Sequence, residues 1–284
     1  LDVLLNQIAE TGYGLTMGLH TRIDETIDHV VDSAHVGNLY VNRNMVGAVV
    51  GVQPFGGEGL SGTGPKAGGP LYLYRLLSTR PDDLLVRGIL QAGAQPDSAT
   101  AHRRSDSMNA LMLWARAQGS SLAECCVRYL EQIWIHDAVE LVGPTGERNI
   151  YRLAPRQRVL CLAGNDSDRL TQLAAVLAVG SRAIWPLESE SLWRKLPAQV
   201  QSRVALASVW SDVNLYFDAV LLHGTEADLA RVQSALSDRE GPVISVERLS
   251  PGETSIPLER LVVERALSIN TAAAGGNASL MTIG

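Results

Sequence analysis

The chain has 284 residues, of which 46% are apolar and 19% charged, and its formal net charge is −6 at pH 7. The 24 basic residues are outnumbered by 30 acidic ones and form no long basic block, which argues against nucleic acid as a partner of this segment. No apolar run approaches the roughly 18 residues of a membrane span, and the length predicts a soluble protein of two domains.

We predict that residues 1–78 form the first domain. The chain begins with Leu1 rather than Met, in the middle of a pattern, so we expect it to be a fragment. The periodicity of "RIDETIDHVVDSAH" predicts a helix over residues 22–35, followed by a strand over 38–42. A second strand is predicted in "VGAVVGV", residues 46–52.

A glycine-rich stretch, "QPFGGEGLSGTGPKAGGP", follows over residues 53–70. Gly57 to Gly62 match G-x-G-x-x-G, but a dinucleotide-binding loop also needs a helix at its last glycine. The next residues contain too much glycine and proline for a helix, and Pro65 stands where a P-loop needs lysine. We therefore expect an extended loop that passes close to neighbouring backbone and binds no phosphate.

Residues 79–106 lose periodicity and are predicted to be a linker, with the second domain over 107–284. One or two amphipathic helices are predicted over 108–134, then a hairpin that turns at 143–148. The pattern that follows alternates strands and helices, which predicts a parallel sheet with helices on its faces. The predicted elements are a strand at 158–164, a helix at 166–180 with Asp166 or Ser167 as N-cap, and strands at 181–186, 217–224 and 242–247, with a helix at 225–240.

This second domain is predicted to be Rossmann-like without obvious capacity for NAD, because its first turn holds one glycine, Gly164, where the fingerprint needs three. Cys125, Cys126 and Cys161 show no C-x-x-C spacing and predict structural thiols in a reducing cytoplasm. The six histidines form no H-x-x-H pair, so no metal site is expected. His223 ends a strand where open α/β sheets bind ligands, although a plain turn is favoured.

Two long motifs resemble a known family. "GYGLTMGLHTRI" and "GNLYVNRNMVGAVVGVQPFGGEGLSGTGPKAGGPLYLYRLL" resemble the end of an aldehyde dehydrogenase catalytic domain, and within it the Δ1-pyrroline-5-carboxylate dehydrogenases. The remainder, including the closing "SINTAAAGGNASLMTIG", resembles the C-terminal region of the long-form proline utilization A family of bifunctional flavoenzymes. The resemblance implies an α/β fold in which the end of that catalytic domain precedes a Rossmann-like domain with a β-flap.

The resemblance also implies an activity. The parent enzyme would oxidise proline to pyrroline-5-carboxylate on FAD, then oxidise glutamate semialdehyde to glutamate with NAD⁺. By resemblance, Gly47 and Ala48 match the loop that anchors the charged end of the semialdehyde, and Phe55 the aromatic that packs on its aliphatic part. From the residues alone, the alternative is that Gly47 and Ala48 are strand residues and Phe55 a core anchor. The catalytic cysteine, the catalytic glutamate and the NAD site would lie upstream, so this chain is predicted to hold no cofactor and to be inactive alone.

The resemblance implies for the second domain a non-catalytic role, covering the cavity through which pyrroline-5-carboxylate passes between two active sites. The hairpin near Gly143 and a strand over 258–270 would pair into a flap that docks on the catalytic domain, and the uncharged tail over 271–284 suits burial in a groove. A cytoplasmic homo-oligomer is implied, with peripheral contact of the parent with the inner membrane left open. Two alternatives also stay open: a stand-alone scaffold or oligomerisation module, and a small NAD-binding regulator.

Overall fold

The computed structural model describes residues 1–81, 83–91, 105–133 and 138–272. In these ranges it contains two five-stranded sheets and a two-stranded ribbon, with helices against the sheets. The strands are β1 (Tyr13–Gly14), β2 (Thr16–Leu19), β3 (Asn38–Val41), β4 (Glu58–Gly59), β5 (Val139–Leu141), β6 (Glu147–Pro155), β7 (Arg158–Ala163), β8 (Arg182–Pro186), β9 (Val204–Ala207), β10 (Ala219–His223), β11 (Ser245–Leu249) and β12 (Val262–Asn270). The helices are α1 (Asp2–Glu10), α2 (Asp24–Ser33), α3 (Leu84–Gln91), α4 (Asp106–Ala117), α5 (Leu122–Glu131), α6 (Asp166–Ala178), α7 (Glu190–Trp193), α8 (Ala198–Gln201) and α9 (Glu226–Ser237).

The first large sheet is parallel throughout, in the order β11-β10-β7-β8-β9. Counted from β7 along the chain, this is the doubly wound order 3-2-1-4-5 of Rossmann-like folds. One face packs on a core that includes residues of α4, α5 and α6, and the other on a second core to which Val232 of α9 belongs. The predicted parallel sheet with helices on both faces is confirmed.

The elements predicted for this region are present, but the short helices α7 and α8 and the strand β9 lie at 190–207, where the sequence predicts no element. The segment 108–134 forms two helices, α4 and α5, which are separated at residues 118–121. The predicted N-cap of α6 is Asp166 or Ser167, but the N-cap in the structure is Asn165, whose Oδ1 accepts from the Asp168 amide at 2.9 Å. That N-cap prediction is wrong because all three residues are good caps, and only the backbone conformation decides which one is extended.

The second large sheet is mixed, in the order β2-β3-β12-β6-β5. Strands β2, β3 and β12 are parallel, whereas β12, β6 and β5 are antiparallel. The hairpin predicted at 143–148 is confirmed, as is its pairing with the last strand. That strand begins at Val262 rather than at residue 258, because Leu258–Leu261 form a 3₁₀ turn. The two predicted domains therefore share one sheet, and the boundaries drawn between them stay predictions.

One other expectation is wrong. The stretch predicted as a strand over 46–52 forms a loop, because Gly47 and Gly51 have φ angles of 80° and 81°, which an extended strand does not contain. Within the predicted linker, Leu84–Gln91 form helix α3, whose Leu84 and Leu85 are buried, and the bounds of the linker stay a prediction. The expected burial of the tail in a groove concerns residues that, from 273 onward, lie outside the described ranges.

No helix in the described part of the chain is long and apolar enough to cross a membrane.

Candidate functional site

The candidate site is the glycine-rich loop that follows β3, here called the anchor loop and defined as residues 44–70. It approaches other backbone closely. A Cβ added to Gly37 would lie 1.9 Å from the carbonyl oxygen of Gly56, so no side chain fits at that crossing. The predicted extended loop is therefore confirmed, and no helix follows Gly62 within residues 63–70.

Gln53 holds the anchor loop from inside. Its side chain is buried, and its Oε1 accepts from the Val49 amide at 3.0 Å. Its Nε2 donates to Glu147 Oε2 at 2.9 Å and Asn149 Oδ1 at 3.1 Å on β6, and it lies 3.2 Å from Ser268 Oγ on β12. One amide thus connects the loop to the two central antiparallel strands of the mixed sheet.

Asn38, at the start of β3, binds the backbone on both sides of Phe55. Its Nδ2 donates to the Pro54 carbonyl at 2.8 Å, and its Oδ1 accepts from the Gly56 amide at 3.1 Å. Phe55 itself exchanges two backbone hydrogen bonds with Ala67, at 3.0 and 2.8 Å. The backbone at Phe55 is therefore fixed, whereas its residue exposure is 36%.

Lys66 is the buried cation of the loop, with 2% of its surface exposed. Its Nζ donates to Asn38 Oδ1 at 3.0 Å and to the Gly56 carbonyl. Among the described residues no ion pair joins this ammonium to a carboxylate. Burial lowers the pKa of Lys66 to about 8, because neutral oxygens compensate the lost hydration only in part.

Two carboxylates connect the anchor loop to β12 and its neighbours. Glu264 accepts from the Lys66 amide at 2.7 Å and from the Tyr151 hydroxyl at 2.7 Å. Burial raises the pKa of Glu264 despite these hydrogen bonds, and burial beside Glu264 raises the pKa of Tyr151 well above its usual value. Glu58, for which the sequence indicates no role, pairs with Arg265 at 2.6 Å.

The residues implied in substrate binding lie on the outer part of this loop. Gly47 is exposed and Ala48 is partly exposed. Their amides donate to no acceptor in the described ranges, and the same holds for Val50 and Gly51, while Val46 and Val49 donate to the side chains of Asn44 and Gln53. The alternative interpretation, strand residues and a core aromatic, is wrong, because 46–52 is a loop and Phe55 is partly exposed.

Sequence reasoning missed the residues that hold the loop: Asn38, Gln53, Lys66, Glu147, Tyr151 and Glu264. One signal was available, since Lys66 is the one charged residue of "SGTGPKAGGP". A lone cation in a glycine- and proline-rich stretch either points into solvent or finds buried oxygens. The partners of Lys66 lie on strands far away in sequence, and local patterns do not reveal them.

The switch point of the parallel sheet, between β7 and β10, is where such folds bind ligands. His223 is buried there, with Nδ1 2.9 Å from Gln172 Nε2 and Nε2 2.8 Å from the Glu253 carbonyl, so Nε2 donates and Nδ1 accepts. The Gly252 amide donates to Asp168 at 3.0 Å. Asp166 and Asp168 place negative charge in the first turn of α6, at the helix N-terminus where dinucleotide-binding folds hold a pyrophosphate.

The three cysteines are free and buried. Burial raises the pKa of Cys126 and of Cys161 to about 12 each, so both thiols are protonated at neutral pH. In the described part of the chain, no group of three His, Cys, Asp or Glu side chains is arranged to hold a metal ion.

Comparison with known proteins places the chain. A family model described as "Aldehyde dehydrogenase family" matches residues 2–80. The bifunctional protein PutA of Escherichia coli strain K12 is 54% identical over 288 residues, an alignment that covers 100% of this chain. Along its whole length the chain is therefore similar to one segment of PutA. It spans 22% of the length of that relative.

Two further matches agree with this placement. A 1-pyrroline-5-carboxylate dehydrogenase of Bacillus subtilis strain 168 is 51% identical over 72 residues, which are 25% of this chain and 14% of that protein. The solved structure of proline utilization A from Corynebacterium freiburgense is 19% identical, with a TM-score of 0.56 over 95% of this chain and 24% of that chain. At this identity the structural match shows the fold, and the predicted α/β fold is confirmed.

Proposed function

We propose that the chain is the C-terminal part of a bifunctional enzyme of proline catabolism and that its anchor loop binds the amino-acid end of glutamate semialdehyde. The similarity to PutA and to a 1-pyrroline-5-carboxylate dehydrogenase supports this substrate. The carrying observation is that Gly47 is exposed, Ala48 is partly exposed, and the amides of both donate to no acceptor in the described ranges. Backbone N–H groups of this kind bind a carboxylate directly when no side chain intervenes.

Phe55 supplies the apolar part of the proposed site. Its ring is partly exposed, while its backbone is fixed by Ala67 and its neighbours by Asn38. A fixed aromatic side chain packs on the methylene groups of a small substrate at little conformational cost. Together the loop would orient the semialdehyde from its non-reacting end.

The oxidation itself would use groups outside this chain. An aldehyde dehydrogenase of this type needs a cysteine thiolate as nucleophile and NAD⁺ as hydride acceptor, and proline oxidation in the parent needs FAD. Buried, protonated Cys126 and Cys161 do not suit that role, and Cys125 is buried in α5. We therefore propose that the isolated chain holds neither cofactor and does not turn over.

The second domain would contribute by docking. Strands β5, β6 and β12 form the proposed flap, and β12 pairs with β3. Exposed apolar side chains occur on the anchor loop at Met45, Val46 and Val50, and on the hairpin at Val142, where its exposure is 92%. We propose that this surface contacts upstream domains of the same cytoplasmic polypeptide, covers the intermediate's path and supports a homo-oligomer. The alternative, a stand-alone scaffold, would need none of the anchor-loop amides.

The test uses the full-length protein that contains this chain, assayed for NADH formation from the semialdehyde. Gly47→Ala should raise the semialdehyde KM about tenfold with little change in kcat, because a side chain at φ 80° displaces the adjacent amides. Gly180→Ala is the matched control, because Gly180 has φ 86°, equally open space and a remote position at the end of α6. An unchanged KM in Gly47→Ala would refute the proposal that the amides of Gly47 and Ala48 bind the substrate.

Two further measurements separate the alternatives. Gly51→Ala introduces the same strain at φ 81°, so a KM effect there but not at Gly47 would move the anchor to the amides of Val50 and Gly51. The isolated chain, given semialdehyde and NAD⁺, should form no NADH. Turnover by the isolated chain would contradict the proposed division of labour.

A further inference from the structure

A buried polar network connects the last strand of the chain to the anchor loop. Its members are Asn38 on β3, Lys66 in the loop, Tyr151 on β6 and Glu264 on β12. Lys66 and Asn38 are 2% and 1% exposed. None of them is among the groups proposed to contact the substrate, so the network needs another explanation.

The hydrogen bonds form a chain that ends at Phe55. Glu264 accepts from the Lys66 amide at 2.7 Å, and the next residue of the loop, Ala67, pairs with Phe55 through both backbone hydrogen bonds. The Lys66 ammonium donates to the Gly56 carbonyl and to Asn38 Oδ1. A displacement of Lys66 therefore moves both the segment opposite Phe55 and the residue that follows it.

Both oxygens of Glu264 are in use. Oε2 accepts from Lys66, and Oε1 accepts from the Tyr151 hydroxyl at 2.7 Å. The hydroxyl of Tyr151 thus fixes the carboxylate from the neighbouring strand, to which β12 is paired along its whole length. A Cβ added to Gly69 would lie 3.0 Å from Oε1, so the loop backbone also closes over the carboxylate.

The network is costly to bury, which argues that its side chains do more than fill space in the core. Burying a lysine and a glutamate without a direct ion pair incurs a desolvation penalty that apolar residues of the same volume would avoid. Buried polar groups that are fully hydrogen-bonded define one arrangement among several apolar packings. Here the arrangement defined is the position of the loop that contains Phe55.

We propose that Glu264 and Lys66 are positioning residues, through which the C-terminal strand β12 sets the position of Phe55 and so the affinity for the aliphatic part of the substrate. This inference rests on the proposed function, because it requires that Phe55 contacts the semialdehyde. It makes the strand β12, in the region otherwise proposed to be non-catalytic, part of the specificity of the substrate site.

The test compares Glu264→Ala with Glu264→Gln in the full-length protein. Glu264→Ala removes both acceptors and should raise the semialdehyde KM about tenfold, with kcat within about twofold of the starting protein. Glu264→Gln should restore most of the affinity, because a glutamine oxygen still accepts from the Lys66 amide and its nitrogen donates to Tyr151. A lower kcat together with a higher KM in both variants would indicate a structural role and overturn the proposal.

Two controls complete the design. Arg152→Gln removes a charge from the same sheet, where Arg152 pairs with Asp32 on the surface at 3.3 Å, and should leave the KM unchanged. If Glu264→Ala fails to fold, Tyr151→Phe removes one hydroxyl and should raise the KM two- to threefold, by roughly the loss of one hydrogen bond. An unchanged KM in Tyr151→Phe would then overturn the proposal.

Phe55→Ala separates this proposal from the function on which it rests. A raised KM in Phe55→Ala with an unchanged KM in Glu264→Ala would refute the positioning role and leave the substrate site intact. Unchanged KM values in Phe55→Ala, Gly47→Ala and Glu264→Ala would refute both.

Discussion

The two large sheets are assembled in opposite ways. The parallel sheet takes all five strands from one continuous run of chain, residues 158–249, in which helices follow β7, β8 and β10. The mixed sheet takes β2 and β3 from the start of the chain and β5, β6 and β12 from beyond residue 138. The hydrogen bond from Asn270 to the Asn42 carbonyl joins residues 228 positions apart.

The two sheets also differ in what they contribute: the parallel sheet forms apolar core, and the mixed sheet supports the candidate site. The parallel sheet packs apolar cores on both faces, and the buried side chains of His223 and Gln172 fill its switch point. The mixed sheet contains the buried polar network that holds the anchor loop. Substitutions should therefore divide into those that change stability and those that also change substrate affinity.

The largest stability effect is expected in the parallel sheet. Leu221 is 0% exposed on β10, which lies between β11 and β7, so Leu221→Ala should lower the free energy of unfolding by about 2–5 kcal/mol. Ile150→Ala on β6 should cost less, because Ile150 is 9% exposed at the edge of a smaller core. Denaturant unfolding of both variants measures the difference, and equal losses would contradict it.

Two buried glutamines give a matched pair. Gln53 binds β6 and β12, and Gln172 donates to the Leu162 carbonyl at 2.9 Å in the parallel sheet. Alanine at either position should lower the free energy of unfolding by about 1–3 kcal/mol, because buried partners lose a hydrogen bond. Only Gln53→Ala should also raise the semialdehyde KM of the full-length protein. A similar KM change in Gln172→Ala would show that the sheets are not separable.

Alkaline pH should act on the two regions with opposite signs. The pKa of Cys161 is raised from 9.0 to about 12, so its stabilising contribution is complete below pH 9 and is lost as pH rises toward 12. The pKa of Lys66 is lowered from 10.5 in the unfolded chain to about 8 in the folded one. Between these pH values Lys66 is protonated mainly in the unfolded chain, so its contribution makes the free energy of unfolding rise with pH. Each group changes the free energy of unfolding by at most about 1.4 kcal/mol per pH unit.

Unfolding from pH 8 to 10 in two variants measures these contributions. Cys161→Ala should lose less stability than the unsubstituted protein as pH rises, and Lys66→Met should lose more. Parallel curves for all three proteins would show that neither group titrates as its burial implies.

The smallest effect is expected at a helix end. Asn165→Ala removes the side-chain acceptor of the Asp168 amide and should cost about 1 kcal/mol, while Asn165→Ser should retain most of the stability. Neither variant should alter the semialdehyde KM, because α6 lies on the parallel sheet. A KM change would mean that this region communicates with the anchor loop.

The same division explains what the sequence could predict. The alternation of apolar strands with helices between residues 158 and 249 predicts a parallel sheet and four of its five strands. It does not predict β9, and it does not predict that β10 pairs with β7 rather than with β9. The hairpin and its pairing with the last strand were also predictable. The site was reached only in part: the resemblance pointed to Gly47, Ala48 and Phe55, whose roles stay proposals.

The rest depended on contacts that no local pattern encodes. "VGAVVGV" has the apolar content of a strand, but the left-handed glycines at 47 and 51 turn it into a loop. The predicted linker includes "LLVRGILQ", residues 84–91, whose Leu84 and Leu85 are buried in the main core. Glu264 has no local pattern that marks it as part of the site, because its partner Lys66 lies 198 residues away.

The position of β12 has a consequence for biosynthesis. This strand lies at the centre of the mixed sheet, between β3 and β6, yet it is the last of the five to leave the ribosome. Until it arrives, both neighbours present an open edge, which is a template for pairing with other chains. The mixed sheet, and with it the support of the anchor loop, is therefore completed only after translation has passed residue 270. The parallel sheet is able to form earlier.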